Sequence, residues 1–135
     1  MKAYIAVGKD RRDDLSLEIA AIAATFTEHG IRPFVFVDEY RLADLPERDL
    51  MKQAFSEIDT SAILFAEVSE KAIGVGIELG YAKGISKFIV CARKENAEHS
   101  TTAAGSSDFV IVYSDATQLR DQLTLAITKA KNMKL

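Results

Sequence analysis

The sequence is short of the residues that staple a fold, cross a membrane or coat a nucleic acid. Its 135 residues include one cysteine, two prolines, seven glycines and no tryptophan. A single Cys91 excludes an internal disulfide framework and any multi-cysteine zinc site. It lies in the apolar run Phe88-Ile89-Val90-Cys91-Ala92, the setting of a buried, inert thiol. The low proline and glycine counts exclude a collagen-like or low-complexity chain. No run of about 18 apolar residues exists, and the apolar stretch at Met1–Gly8 is too short for a signal peptide. A cytoplasmic chain with no membrane partner is expected. Positive charge is not in surplus either: 17 Lys and Arg face 20 Asp and Glu, for a net charge of −3. An extended nucleic-acid polymer is therefore not the expected partner, whereas one small anionic ligand needs only a few donors. His29 and His99 lack the spacing of a metal pair, and no metal or cofactor is expected. His29 precedes Gly30 at the end of a helix-like stretch, where a favourable dipole contact accounts for it.

What is present is a 48% hydrophobic chain, long enough to bury roughly two-thirds of its unfolded surface as one domain over residues 1–135. Short apolar runs alternate with amphipathic stretches. Strands are predicted at Ala3–Val7, Pro33–Val37, Ala62–Val68, Lys87–Ala92 and Asp108–Tyr113, each rich in Ile, Val, Phe or Tyr. Helical spacing places Leu15, Ile19, Ile22 and Phe26 on one face of Leu15–Glu28, with Gly30 as its C′ residue. Further helices are predicted at Pro46–Ile58, Gly74–Ile85 and Ala116–Ala130. The order β-α-β-α-β-α-β-loop-β-α implies an α/β fold: a doubly wound five-stranded parallel sheet with helices on both faces, flavodoxin-like, in the order 2-1-3-4-5. Ligands of such sheets sit beyond the carboxyl ends of the strands. That directs attention to 8–14, 38–44, 67–73 and 93–105.

Two of these segments carry candidate chemistry. After the third strand comes Gly74-Val75-Gly76-Ile77-Glu78-Leu79-Gly80. Gly74 and Gly76 would let a ligand approach the backbone where a helix opens, with free N–H groups facing it. Glu78 would then lie near the first turn, where the dipole favours its ionised form. The same glycines equally permit tight helix–sheet packing, and a glutamate there equally stabilises a helix without any chemistry. After the first strand comes Gly8-Lys9-Asp10-Arg11-Arg12-Asp13-Asp14. Lys9, Arg11 and Arg12 either neutralise a phosphate at the switch point or are solvated charges, with Asp13 or Asp14 capping the next helix. Tyr40, in Asp38-Glu39-Tyr40, either stacks on a base or is an exposed loop residue.

On these residues the chain resembles the nucleoside 2-deoxyribosyltransferase superfamily, and within it the small 2′-deoxynucleoside 5′-monophosphate N-hydrolases. Ala66-Glu67-Val68 followed by Gly74-Val75-Gly76-Ile77-Glu78-Leu79-Gly80 is similar to the hallmark in which this glutamate is the nucleophile. Tyr4 matches the tyrosine beside that carboxylate. Ser100 matches a serine that reaches a phosphate from a neighbouring subunit, which implies a homodimer or higher homo-oligomer. The resemblance implies cleavage of the base–sugar bond of a nucleoside or nucleotide, a small-molecule partner, by a retaining route. It also shows departures. The family's general acid, thirteen residues before Glu67, is Ala54 here, with Asp49, Glu57 and Asp59 as carboxylates on the same stretch. Its Ser or Asp six residues before the nucleophile is Ala72. Without an acid, a catalytically silent nucleotide-binding module is the alternative reading. A phospho-receiver domain is excluded by Val7-Gly8 where an acidic pair is required, and a flavodoxin by the charged first loop.

Overall fold

A computed structural model describes residues 1–40 and 44–133 of the chain. At its centre lies a five-stranded parallel sheet in the order β2-β1-β3-β4-β5. Its strands are β1 (Lys2–Ala6), β2 (Arg32–Val35), β3 (Ile63–Glu67), β4 (Phe88–Lys94) and β5 (Phe109–Tyr113). The expected flavodoxin-like order is the observed one. Every residue of β1 and β3 is buried, which is why those strands read as continuous apolar runs rather than alternating ones.

Successive side chains point to opposite faces of a strand, and here they divide the core in two. On one face Ile5, Phe65 and Ile111 meet Ile22 and Phe26 of α1 (Ser16–Glu28) and Leu123 and Ile127 of α6 (Ala116–Asn132). On the other, Tyr4, Ala6, Leu64 and Ile89 meet Ala54 and Ile58 of α3 (Glu47–Asp59) and Leu79 and Ala82 of α4 (Ile73–Gly84). Ile22, Phe26 and Ile58 are fully buried, so truncating any one to alanine costs about 2–5 kcal/mol. Helix α1 stops where predicted. Gly30 takes φ +74°, the Gly30 N–H bonds the Thr27 carbonyl at 3.0 Å and the Ile31 N–H bonds the Phe26 carbonyl at 2.9 Å, a Schellman closure.

Three local features differ from the expectations. The strand predicted at Pro33–Val37 ends at Val35, because Phe36–Tyr40 forms a short helix, α2. Phe36 and Tyr40 lie four residues apart, and helical winding stacks their rings at 4.7 Å. The segment after β4 is not all loop: Thr101–Gly105 forms α5, with the Ser100 hydroxyl accepting from the Ala103 N–H at 3.2 Å as its N-cap. Neither Asp13 nor Asp14 caps α1. The chain enters that helix through 3₁₀ turns at Lys9–Arg11 and Asp13–Leu15, and Leu15 occupies the N-cap position without a side-chain hydrogen bond.

Candidate active site

Glu78 and Tyr4 meet across the α4–β1 contact. The Tyr4 hydroxyl donates to Glu78 Oε2. Tyr4 has no exposed surface, and Glu78 is 8% exposed. Glu78 lies in the second turn of α4, beyond the first turn that the glycine pattern predicts. There the helix terminus does little for its charge, because dipole effects fade within the first turn. Burial dominates instead. It lifts the Glu78 carboxyl to about 7, while the hydrogen bond from Tyr4 pulls the other way. Burial and the neighbouring Glu78 charge push the Tyr4 phenol well above its ordinary value. The ionised glutamate expected from helix position is therefore a carboxyl that holds its proton up to neutrality.

Most of the other candidate residues distribute around two hollows that flank the start of α4. Ala72, Ile73, Glu70 and Lys71 line both. One, of about 450 Å³, is closed by Gly76, Gly80, Ser100, Thr102 and Ala103. The other, of about 430 Å³, brings Gly8, Lys9 and Arg11 together with Asp10 and Glu67. Glu78 lines neither hollow. Its Oε2 turns inward to Tyr4. Gly74 borders neither hollow, and the Gly76 N–H is engaged by the Ala72 carbonyl at 3.1 Å. At Gly8 a Cβ would stand 3.4 Å from that of Ala72, an ordinary contact, and its φ of −58° is open to any residue, so packing does not require a glycine there.

The basic loop divides. Arg12 makes a bidentate pair with Asp38, Nε to Oδ1 at 2.6 Å and Nη2 to Oδ2 at 2.9 Å, and lies outside the second hollow. Arg11 reaches Glu70 at 3.3 Å and Asp14 at 3.4 Å. Lys9 and Arg11 are the loop cations that border the hollow. Of the α3 carboxylates, Glu57 takes the Lys2 ammonium at 2.8 Å and Asp59 accepts from the Tyr81 hydroxyl at 2.5 Å. Asp49 is exposed. Ala54 is 1% exposed, packed in the core beside Tyr4.

Two arrangements were missed from sequence. Glu67 is a second buried carboxylate: it accepts from the Ser69 N–H at 2.7 Å, the Ser69 hydroxyl at 3.0 Å and the Tyr113 hydroxyl at 2.5 Å. No spacing rule links Glu67 to Tyr113, 46 residues away. The other is a ladder of rings on β1, β2 and α2. Tyr4 lies 5.9 Å from Phe34 and 5.8 Å from Phe36, and Tyr40 closes the row at 4.7 Å from Phe36. Alternation along Phe34-Val35-Phe36 was the available signal for the first two rings.

Solved structures with this arrangement of strands and helices include nucleoside-cleaving enzymes. A CMP N-glycosidase of Clostridium botulinum superposes with TM-score 0.73 at 17% identity, over 93% of this chain and 98% of that one. A 2-deoxyribosyltransferase of Bacillus psychrosaccharolyticus superposes with TM-score 0.69 at 16% identity, over 90% and 91%. A 2-deoxyribosyltransferase of Leishmania mexicana gives TM-score 0.56 at 16% identity, over 74% of each chain. The chain shares their fold. No protein-family model matches the sequence, and no curated protein matches it. Among the described residues, no helix is long and apolar enough to cross a membrane.

Proposed function

We propose that this chain belongs to the nucleoside 2-deoxyribosyltransferase superfamily and cleaves the base–sugar bond of a nucleoside or its 5′-monophosphate, with Glu78 as nucleophile. The observation that carries this reading is the buried Tyr4–Glu78 pair. A carboxyl with one tyrosine partner, held on the second turn of a helix, has few conformations open to it. Ionised, its free oxygen attacks the anomeric carbon through an oxocarbenium-like transition state, and the electron pair of the breaking bond leaves with the base. Water then releases the sugar, or a second base accepts it. Tyr4 restrains the nucleophile and stabilises its charge. Lys9 and Arg11 face a 5′-phosphate in the adjacent hollow. The shared fold with a CMP N-glycosidase and two deoxyribosyltransferases supports the same substrate class.

The test is release of free base from a panel of nucleosides and 5′-monophosphates, read by chromatography. Activity in the wild type and its loss in Glu78→Gln support the proposal. Ala54, in the apolar core where the family carries its acid, favours the second reading, a silent binding module. Ligands that raise the melting temperature without turnover would establish that alternative. Ser100 caps α5 within its own chain and borders the first hollow. Its proposed role toward a neighbouring copy requires a homo-oligomer at micromolar concentration, and elution as a monomer would exclude it.

A further inference from the structure

Cleavage of a neutral base needs a proton as well as a nucleophile, because the base otherwise departs as an anion. This inference rests on the glycosidase reading above and concerns where that proton would come from. Among the described residues the buried carboxyls are Glu67 and Glu78. Glu67 is taken up by Ser69 and Tyr113, whose ring packs in the core on the opposite face of the sheet. On the face that holds Glu78, helix α3 presents Ala54 to the core, and its Glu57 and Asp59 are bound to Lys2 and Tyr81. Asp38 is held by Arg12. Glu39, Asp44, Glu47 and Asp49 are exposed, as are Asp10 and Glu70 at the rim of the second hollow. Residues 41–43 are Arg, Leu and Ala and contain no carboxyl. The Tyr4 proton is engaged on Glu78. His29 lies at the far end of α1 with Nδ1 on the Thr25 carbonyl, and His99, an exposed side chain, borders with Glu98 a hollow that adjoins the first along Val68, Glu70, Lys71, Ser100 and Thr102.

What adjoins the Tyr4–Glu78 pair instead is aromatic. Phe34, Phe36 and Tyr40 extend from the Tyr4 ring at centroid spacings of 4.7–6.5 Å, and Phe34 and Tyr40 are only partly buried. Ring faces attract cations. The Lys2 ammonium already lies 4.9 Å from the Phe34 centroid.

From these two features we propose that the substrate is a cationic N-glycoside: a ribosyl or deoxyribosyl pyridinium, or an N-alkylated purine nucleoside. The step balances without an acid. A Glu78 oxygen bonds to C1′, the C1′–N bond breaks, and its electron pair neutralises the charged ring, which leaves as a neutral molecule. Water then attacks C1′ and displaces the carboxylate, and the water's surplus proton passes to solvent. A positive ring beside Glu78 also favours ionisation of that buried carboxyl, so substrate binding activates the nucleophile.

The test compares substrates with positively charged and neutral bases, the closest pair differing by one N-methyl group and the charge that it fixes. Full-length protein is given 7-methylguanosine 5′-monophosphate and guanosine 5′-monophosphate, with N-ribosylnicotinamide 5′-monophosphate as a second cation and AMP and CMP as further neutral bases. Base release is measured and the enzyme-free rate subtracted. General acids contribute about 10²–10⁴-fold to such reactions, so the expected kcat/KM for each cation exceeds that of the neutral compounds by at least 100-fold. Activity should vanish in Glu78→Gln. A smaller ratio overturns the inference while the glycosidase reading survives. No release from either class overturns both.

Discussion

Replacing Glu78 by glutamine tests whether its carboxyl is buried and nearly unaided. The carboxyl titrates near 7 in the folded protein against 4.5 for an ordinary glutamate. A raised folded-state value means that the folded protein binds the proton more tightly than the unfolded chain. The protonated side chain is tolerated below pH 4.5. As pH rises from there toward 7, unfolding releases a proton that folding retains, and stability falls. At about 1.4 kcal/mol per pH unit, the loss reaches about 3 kcal/mol by pH 8. With Glu78 only 8% exposed, solvent screening does little to reduce it.

Glu78→Gln keeps the shape and an oxygen to accept from Tyr4 but removes the ionisation. Urea unfolding of both proteins between pH 4.5 and 8 gives a difference curve in which the other titrating groups cancel. The wild type should lose about 3 kcal/mol relative to the variant over that range, equivalent to roughly 10 °C in melting temperature for a domain of this size. Loss of the proton above pH 7 leaves the difference flat. Parallel stability profiles from pH 4.5 to 8 would refute the reasoning, because they would mean that Glu78 is hydrated in the folded state.

Tyr4→Phe removes the hydrogen bond that lowers the Glu78 carboxyl. A charge-assisted bond of about 1.5–3 kcal/mol corresponds to a rise of about 1–2 pH units, visible in the carboxyl carbon NMR titration. If Glu78 is the nucleophile, wild-type kcat/KM rises with pH through about 7, and in Tyr4→Phe that midpoint moves up, as a pH–rate profile would report. Arg11→Ala and Lys9→Ala should raise KM for a 5′-monophosphate several-fold and leave KM for the corresponding nucleoside little changed, as steady-state kinetics on the two substrates would show. Tyr113→Phe leaves Glu67 with its two Ser69 donors, so the expected cost is about 1–2 kcal/mol in urea unfolding.

The architecture was legible because its signals are local. Buried strands read as apolar runs, α1 and α6 as amphipathic repeats, and Gly30 as a helix stop, each decided within a few residues of itself. Phe36 and Val37 misled for the same reason: two apolar residues following Phe34 and Val35 extend a strand pattern, whereas in the fold Phe36 stacks on Tyr4 and Tyr40 and Val37 packs with Val7, Leu15 and Ile19 from a helix. The Arg12–Asp38 and Glu67–Tyr113 pairs span 26 and 46 residues, so they arise from strand order and leave no local trace. Glu78 could be singled out by its motif, yet its protonation could not. Burial is a property of the folded neighbourhood and here outweighs a helix dipole that a sequence position alone suggests.

The two buried carboxylates clarify each other. Glu67 and Glu78 each accept from a tyrosine on a strand, but Glu67 also takes both donors of Ser69. A carboxylate with three donors in a folded core is satisfied and has little to gain from a ligand. Glu78 has one protein donor among the described residues, and burial without enough donors is what lifts it to about 7. A cation beside it supplies the stabilisation that the protein withholds. Under the proposed function that cation would be a charged ring in the ground state or the oxocarbenium carbon at the transition state. That asymmetry is the physical reason we propose chemistry at Glu78 and not at Glu67.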